Sequence, residues 1–224
     1  MWFRLKQLLF PNALIPEHFK HKHWPQIRFL AIDLELTSLD VTDANILSIG
    51  WVEGQANTIA LESCYYNVIT TNASLNQSPI IHGLVDDQVA QGEPVQNALQ
   101  ALKSFAETHV WVFHNTDLDM SVLNKVFTKL DISLPKVVTL DTLRIALYQI
   151  RKSDNVPAPN AATLTSCRQR HNLPLAPAHN ALDDAVATME LAFAQLNQLD
   201  AKGQEPLSAL TSTGALRVYE ASTE

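Results

Sequence analysis

The chain has 224 residues, 46% hydrophobic and 17% charged, which suits a soluble globular protein of one large or two small domains. No apolar run approaches the length of a membrane span, and the net charge of −7 argues against a broad basic nucleic-acid surface. The two cysteines, Cys64 and Cys167, lack metal-type spacing, so no structural disulfide is expected and a reducing cytoplasm is the default compartment.

Residues 1–27 read as an N-terminal basic and amphipathic extension. Trp2, Leu5 and Leu9 fall at helical spacing before Pro11, and the plainest use of that apolar side is packing on the domain. Gln7, Pro11, Asn12 and Pro16 interrupt the segment and no small-residue cleavage pattern follows, so a signal peptide is not expected. His18, His21 and His23 lie close together, as either a mildly basic arm or a metal site.

Phe29 to Ile32 reads as a buried strand, followed by Asp33, Leu34 and Glu35. Side chains alternate along a strand, so the two carboxylates project the same way. Paired acids at the end of an apolar strand repel each other, and a divalent cation relieves that repulsion. Taken alone, the pair is also what a strand end meeting solvent looks like.

Asn45 to Val52 and Thr58 to Ile69 continue an antiparallel three-strand meander, with Gly54 expected in the second turn. Residues 70–93 read as irregular apart from Ile80 to Leu84. Pro94 is expected at the first position of a helix running to about Thr108. Val110 to Phe113 is a short buried strand, Asp117 to Leu130 a helix, and Val137 to Leu140 another strand. Asp141 should cap a helix to about Arg151. Further helices are expected over Ala161 to His171 and His179 to Leu196. Residues 198–224 read as a weakly ordered tail, with Leu207 to Val218 able to pack back on the domain. A meander followed by strands alternating with helices implies one α/β domain, residues 28–197, with helices on both faces of a mixed sheet.

Two further sites repeat the acidic pattern. His114-Asn115-Thr116-Asp117-Leu118-Asp119 ends a strand and opens a helix, and His179-Asn180-Ala181-Leu182-Asp183-Asp184 opens the last helix. An acid at a helix start also offsets the dipole, and Asp117 is read as doing only that.

In order and spacing these motifs resemble the DEDDh family of 3′–5′ exonucleases, which have a ribonuclease-H-like fold. D-x-E matches Asp33 and Glu35; H-N-x-x-x-D matches His114 to Asp119; H-x-x-x-x-D matches His179 and Asp184, which selects Asp184 over Asp183. Ile81-His82-Gly83-Leu84 and Asp141-Thr142-Leu143 resemble two secondary signatures. The likeness covers roughly residues 28–197 and implies a five-stranded mixed sheet, the antiparallel meander plus parallel strands. Where the family often has T-T-G after the first pair, Leu36, Thr37 and Ser38 stand here, so some strain is expected at Ser38.

The resemblance implies hydrolysis of phosphodiester bonds at the 3′ end of single-stranded nucleic acid, DNA favoured, to nucleoside 5′-monophosphates. It implies two Mg²⁺ (or Mn²⁺) ions about 4 Å apart, held by Asp33, Glu35, Asp119 and Asp184. His179 would be the general base, and Leu36, Thr37, His82, His114 and Asn115 would shape the substrate pocket. The alternatives are a non-catalytic nucleic-acid-binding or polymerase-associated subunit of the same fold, or an exoribonuclease on short RNA. Lys6 to Phe10 resembles, one residue short, the peptides with which replication proteins hold a sliding clamp, so a polymerase or clamp partner is a further alternative. Arg144, Arg151, Lys152, Arg168 and Arg170 form a cationic segment that is either a set of solvated helix faces or, on this resemblance, the surface holding the following nucleotides.

Overall fold

The computed structural model describes residues 14–71, 84, 86–153 and 157–220. The clamp-like peptide Lys6 to Phe10, the short helix expected before Pro11 and His82 lie outside the described residues.

Strand β1 (Phe29–Leu36) is central, and its alternation divides the core. Leu30, Ile32, Leu34 and Leu36 face one apolar layer, whereas Phe29 and Ala31 face the other. Asp33 and Glu35 continue the second face, as the period of two requires. β2 (Ile46–Gln55) pairs antiparallel with β1, and β3 (Thr58–Val68) pairs antiparallel with β2. The expected meander is therefore present. Its second turn is made by Ala56 and Asn57, both at positive φ, as tight hairpins demand. Gly54 instead lies within β2, opposite Phe29.

A short helix α1 (Glu17–Lys20) precedes the sheet, and α2 (Asp86–Ala90) and α3 (Val95–Lys103) follow the meander. Pro94 stands just outside α3, and that helix ends earlier than expected. β4 (Val110–Phe113) joins β1 in parallel, and β5 (Val137–Asp141) joins β4 in parallel. Between them runs α4 (Thr116–Lys129), burying Met120, Leu123 and Phe127 against the first layer. α5 (Thr142–Lys152), α6 (Leu164–Arg170) and α7 (Ala181–Leu199) complete the helices. α6 is shorter than expected because Thr163 caps it, accepting from the Ser166 N–H at 3.2 Å. α7 packs Met189, Ala192 and Phe193 over the second face of β1.

The sheet has six strands rather than the five expected, in the order β3-β2-β1-β4-β5-β6. The sixth, β6 (Leu216–Tyr219), comes from the segment read as a tail. It pairs antiparallel with β5, setting Val218 against Val138 and Leu216 against Leu140 within the core. A hydrophobic edge on β5 is thereby covered, which is what an edge strand of this kind needs. At the other end, Ile15, Phe19, Trp24 and Ile27 are buried in the same layer. Among the described residues no helix is long and apolar enough to cross a membrane.

Candidate active site

Three elements deliver carboxylates to one end of the sheet. β1 supplies Asp33 and Glu35 on the face covered by α7. The ladder shifts register between Glu35 and Leu36, and Leu36 turns into the core with 7% exposure. α7 starts at Asn180, whose side-chain oxygen accepts from the N–H groups of Leu182 and Asp183 at 3.0 and 3.3 Å. One turn on, Asp184 reaches back toward β1. Carboxylate oxygens of Asp33, Glu35 and Asp184 lie within 4.8 Å of one another. Asp184, the acid that the motif spacing selects, lies in this triad, whereas Asp183 is exposed and outside it.

Asp119, on the first turns of α4, is buried and in electrostatic contact with Glu35 and Asp33, although it stands outside the tight triad. Burial, then the charges of Asp119, Asp184 and Glu35, push the Asp33 carboxyl well above the usual range. Asp119 is raised in the same direction, by burial and then by Asp141. Burial also pushes Asp184 up to about 6, against the lowering effect of the His179 N–H. Acids held this close in a low-dielectric setting need countercharge. The donors are all carboxylate oxygen, which suits a hard divalent cation such as Mg²⁺ or Mn²⁺.

His179 is exposed beside the triad, at a φ of 68°, with its N–H donating to Asp184 Oδ2 at 2.8 Å. It therefore precedes α7 rather than belonging to it. His114 lines the same pocket as Asp33, His179 and Asp184. Burial lowers its pKa to about 4, so the ring is neutral at pH 7. In that form Nε2–H donates to the Ala162 carbonyl at 2.8 Å, and Nδ1 lies 2.8 Å from the Thr142 hydroxyl, which donates to the Phe113 carbonyl at 3.1 Å. Asn115 follows at a φ of 103°, an uncommon backbone state for a residue other than glycine. Thr37 closes the turn after β1: its N–H donates to the Asn45 carbonyl and its hydroxyl accepts from the Asn45 N–H, both at 3.0 Å. Ser38 carries no positive φ, so the strain expected there is absent; its hydroxyl accepts from the Asp40 N–H instead.

The cationic segment is spent largely within the fold. Arg144 pairs with Asp117 and Asp141, and Arg170 bonds to the Ala161 carbonyl and Cys167 Sγ. Arg168 is buried. Asp117 does more than offset a dipole, since it also takes Arg217 at 2.8 Å and the Tyr219 hydroxyl at 2.9 Å, tying β6 to α4.

Gly50, Lys125 and a second task of the expected Asp141 cap, its bond to the start of α4, escaped the sequence reading. Gly50 lets α7 rest on β2. Lys125 Nζ donates to the carbonyls of Val41, Thr42 and Ala44 at 2.7, 3.2 and 2.6 Å, gripping the turn beyond the carboxylate strand. Asp141 accepts from the N–H groups of Arg144 and Thr116, both at 3.1 Å, and so holds the starts of α5 and α4 together.

A mixed sheet of this order, carrying carboxylates from β1, α4 and α7 beside a histidine, defines a ribonuclease-H-like domain of the DEDDh type. The chain belongs to the RNase T exonuclease family, which matches residues 30–192. The 3′-5′ exonuclease DinG of Staphylococcus epidermidis is 26% identical over 197 residues, covering 85% of this chain and 21% of the relative. The Staphylococcus haemolyticus protein of the same name is 28% identical over 177 residues, covering 76% and 19%. The chain thus spans about a fifth of the length of these relatives. Among solved structures, cell-death related nuclease 4 superposes with a TM-score of 0.66 at 12% identity, over 89% of this chain and 82% of that one. Exonuclease X, solved with 5′ overhanging duplex DNA, gives 0.59 at 18% identity, over 83% and 99%. Escherichia coli exonuclease I, solved with a dA16 oligonucleotide, gives 0.59 at 15% identity, over 80% and 42%. At these identities the likeness concerns the fold.

Proposed function

We propose that this protein is a metal-dependent 3′–5′ exonuclease that removes nucleoside 5′-monophosphates from single-stranded DNA. The observation that carries the reading is the oxygen triad of Asp33, Glu35 and Asp184, closed within 4.8 Å beside the exposed His179. Asp33, Glu35 and Asp184 would hold a divalent cation, and Asp119 would serve a second. Cations bound there would neutralise the scissile phosphate and acidify a water for attack.

The chain's own groups then have distinct tasks. Asp33, Glu35, Asp119 and Asp184 would hold the cations through carboxylate oxygen. His179, at the rim of the pocket, takes the proton of the attacking water on an unprotonated ring nitrogen. His114 and Asn115 shape the floor, the first held by its bond to the Ala162 carbonyl. Thr37, with the backbone after Leu36, faces the terminal nucleotide.

With Arg144, Arg168 and Arg170 engaged within the fold, phosphate gripping would fall to cations at the carboxylates and to backbone N–H groups. That favours a short single-stranded 3′ end over a long duplex. DNA is proposed by analogy with exonuclease I, a protein of similar fold solved with a dA16 oligonucleotide; a 3′-exonuclease of similar fold that recognises a histone mRNA stem-loop makes RNA the alternative to test.

The test is a panel of 5′-labelled single-stranded DNA, single-stranded RNA and dinucleotides, with Mn²⁺. Faster shortening of DNA than of RNA or dinucleotides supports the reading. Preference for dinucleotide RNA would replace it with an exoribonuclease. His179→Ala should lower turnover by roughly 10²-fold or more while Mn²⁺ binding persists. Wild-type turnover in that variant removes His179 from the mechanism.

A further inference from the structure

Arg168 is the most deeply placed cation of the pocket, with 4% of its surface exposed. A buried guanidinium is costly to desolvate, and its donors need partners; Nη1 and Nη2 of Arg168 have them, while Nε has no hydrogen bond. Here Nη1 donates to the Ala187 carbonyl at 2.8 Å and meets Glu190 Oε2 at 2.7 Å. Both partners belong to α7, the helix that carries Asp184. Nη2 donates to the Pro174 carbonyl at 2.8 Å, and the Arg168 carbonyl accepts from the Leu173 N–H at 3.0 Å. The guanidinium therefore bridges α7 to the start of the 173–179 segment, whose far end is His179.

That segment has two anchors. At its end, the His179 N–H donates to Asp184 Oδ2 at 2.8 Å, on a carboxylate that would hold a cation. At its start, Arg168 holds Pro174 without drawing on any metal ligand. Pro174 and Pro177 restrict the backbone between the anchors, so a shift at Pro174 carries through to His179. Only a forked donor can reach both the α7 groups and the Pro174 carbonyl; an ammonium is a single point.

We infer that Arg168 is a positioning residue for His179, fixing the imidazole relative to Asp184 by clamping the 173–179 segment to α7. The inference rests on the reading of His179 as the base. Misplacing a base by about an ångström costs up to about 100-fold in rate without changing how substrate binds.

The experiment is a double-mutant cycle on single-stranded DNA with Mn²⁺. Arg168→Lys should lower kcat by about tenfold to 100-fold while KM and the calorimetric Mn²⁺ affinity stay within about twofold. Combined with His179→Ala, Arg168→Lys should add no further loss, because the group it positions is gone. Glu190→Gln, which keeps the guanidinium and both carbonyl bonds, should cost a few-fold and also vanish in the His179→Ala background; it serves if Arg168→Lys does not fold. Losses that multiply in the double variants overturn the inference and leave His179 as base untouched. A wild-type rate for Arg168→Lys and Glu190→Gln does the same. Wild-type turnover in His179→Ala alone overturns the base reading and this inference with it.

Discussion

Gly50 pairs with Asp33 across the β1–β2 ladder, and the first turn of α7 lies directly on it. A Cβ at Gly50 would sit 2.4 Å from the Ala181 carbonyl carbon and the Leu182 nitrogen, both backbone atoms that cannot step aside alone. The absence of one side chain thus sets how near Asp184 comes to Asp33. Gly50→Ala is expected to push α7 outward, costing about 1–3 kcal/mol of stability as overpacking does. Metal-dependent turnover should fall about tenfold or more, since ligand spacing is disturbed. Urea unfolding together with single-turnover rates checks both. Unchanged stability and unchanged rate would show that α7 is seated by other contacts.

Asp141 joins two helices that carry the site. Its carboxylate takes one backbone N–H from each of α4 and α5 in a buried setting. Asp141→Ala leaves both orphaned, which should cost about 2–4 kcal/mol, an N-cap plus a second charge-assisted bond. Equilibrium urea unfolding measures this directly; a loss under about 0.5 kcal/mol would contradict the double-cap account.

His114 gives the fold an acid-sensitive point. Burial lowers its pKa to about 4, below the unfolded value of about 6.5. The native state then binds fewer protons than the unfolded chain between those pH values. Its contribution is complete above about pH 6.5 and is lost as pH falls toward 4, by up to about 3 kcal/mol. His114→Gln should therefore lose less stability than the wild type between pH 7 and pH 4.5. Parallel losses in the two proteins would show that His114 is not the group responsible.

Much of the site was legible because each acidic motif sits where a period or a cap fixes its direction. Alternation put Asp33 and Glu35 on one face, and five-residue spacing from His179 selected Asp184. Supports that depend on a distant partner were not legible. Gly50 looks like any strand glycine until α7 is laid over it. Arg144 and Arg168 look like a nucleic-acid surface until Asp117, Glu190 and Pro174 are brought beside them. β6 escaped notice because its four residues carry too little alternation to stand out, and only the edge of β5 gives them a partner. The turn at Ser38 was read from a motif glycine; here the hydroxyl of Ser38 and the grip of Lys125 organise an ordinary backbone.

On the function proposed, the triad of Asp33, Glu35 and Asp184 would hold a cation required for 3′-end hydrolysis. The most direct measurement is a time course on 5′-labelled single-stranded DNA for wild type and Asp184→Asn, in Mn²⁺ and then in chelator. The expected result is progressive shortening from the 3′ end by the wild type in Mn²⁺, arrest on chelation, and a loss of roughly 10²-fold or more in Asp184→Asn. Chelator-resistant shortening, or wild-type rates in Asp184→Asn with the fold intact, would contradict it.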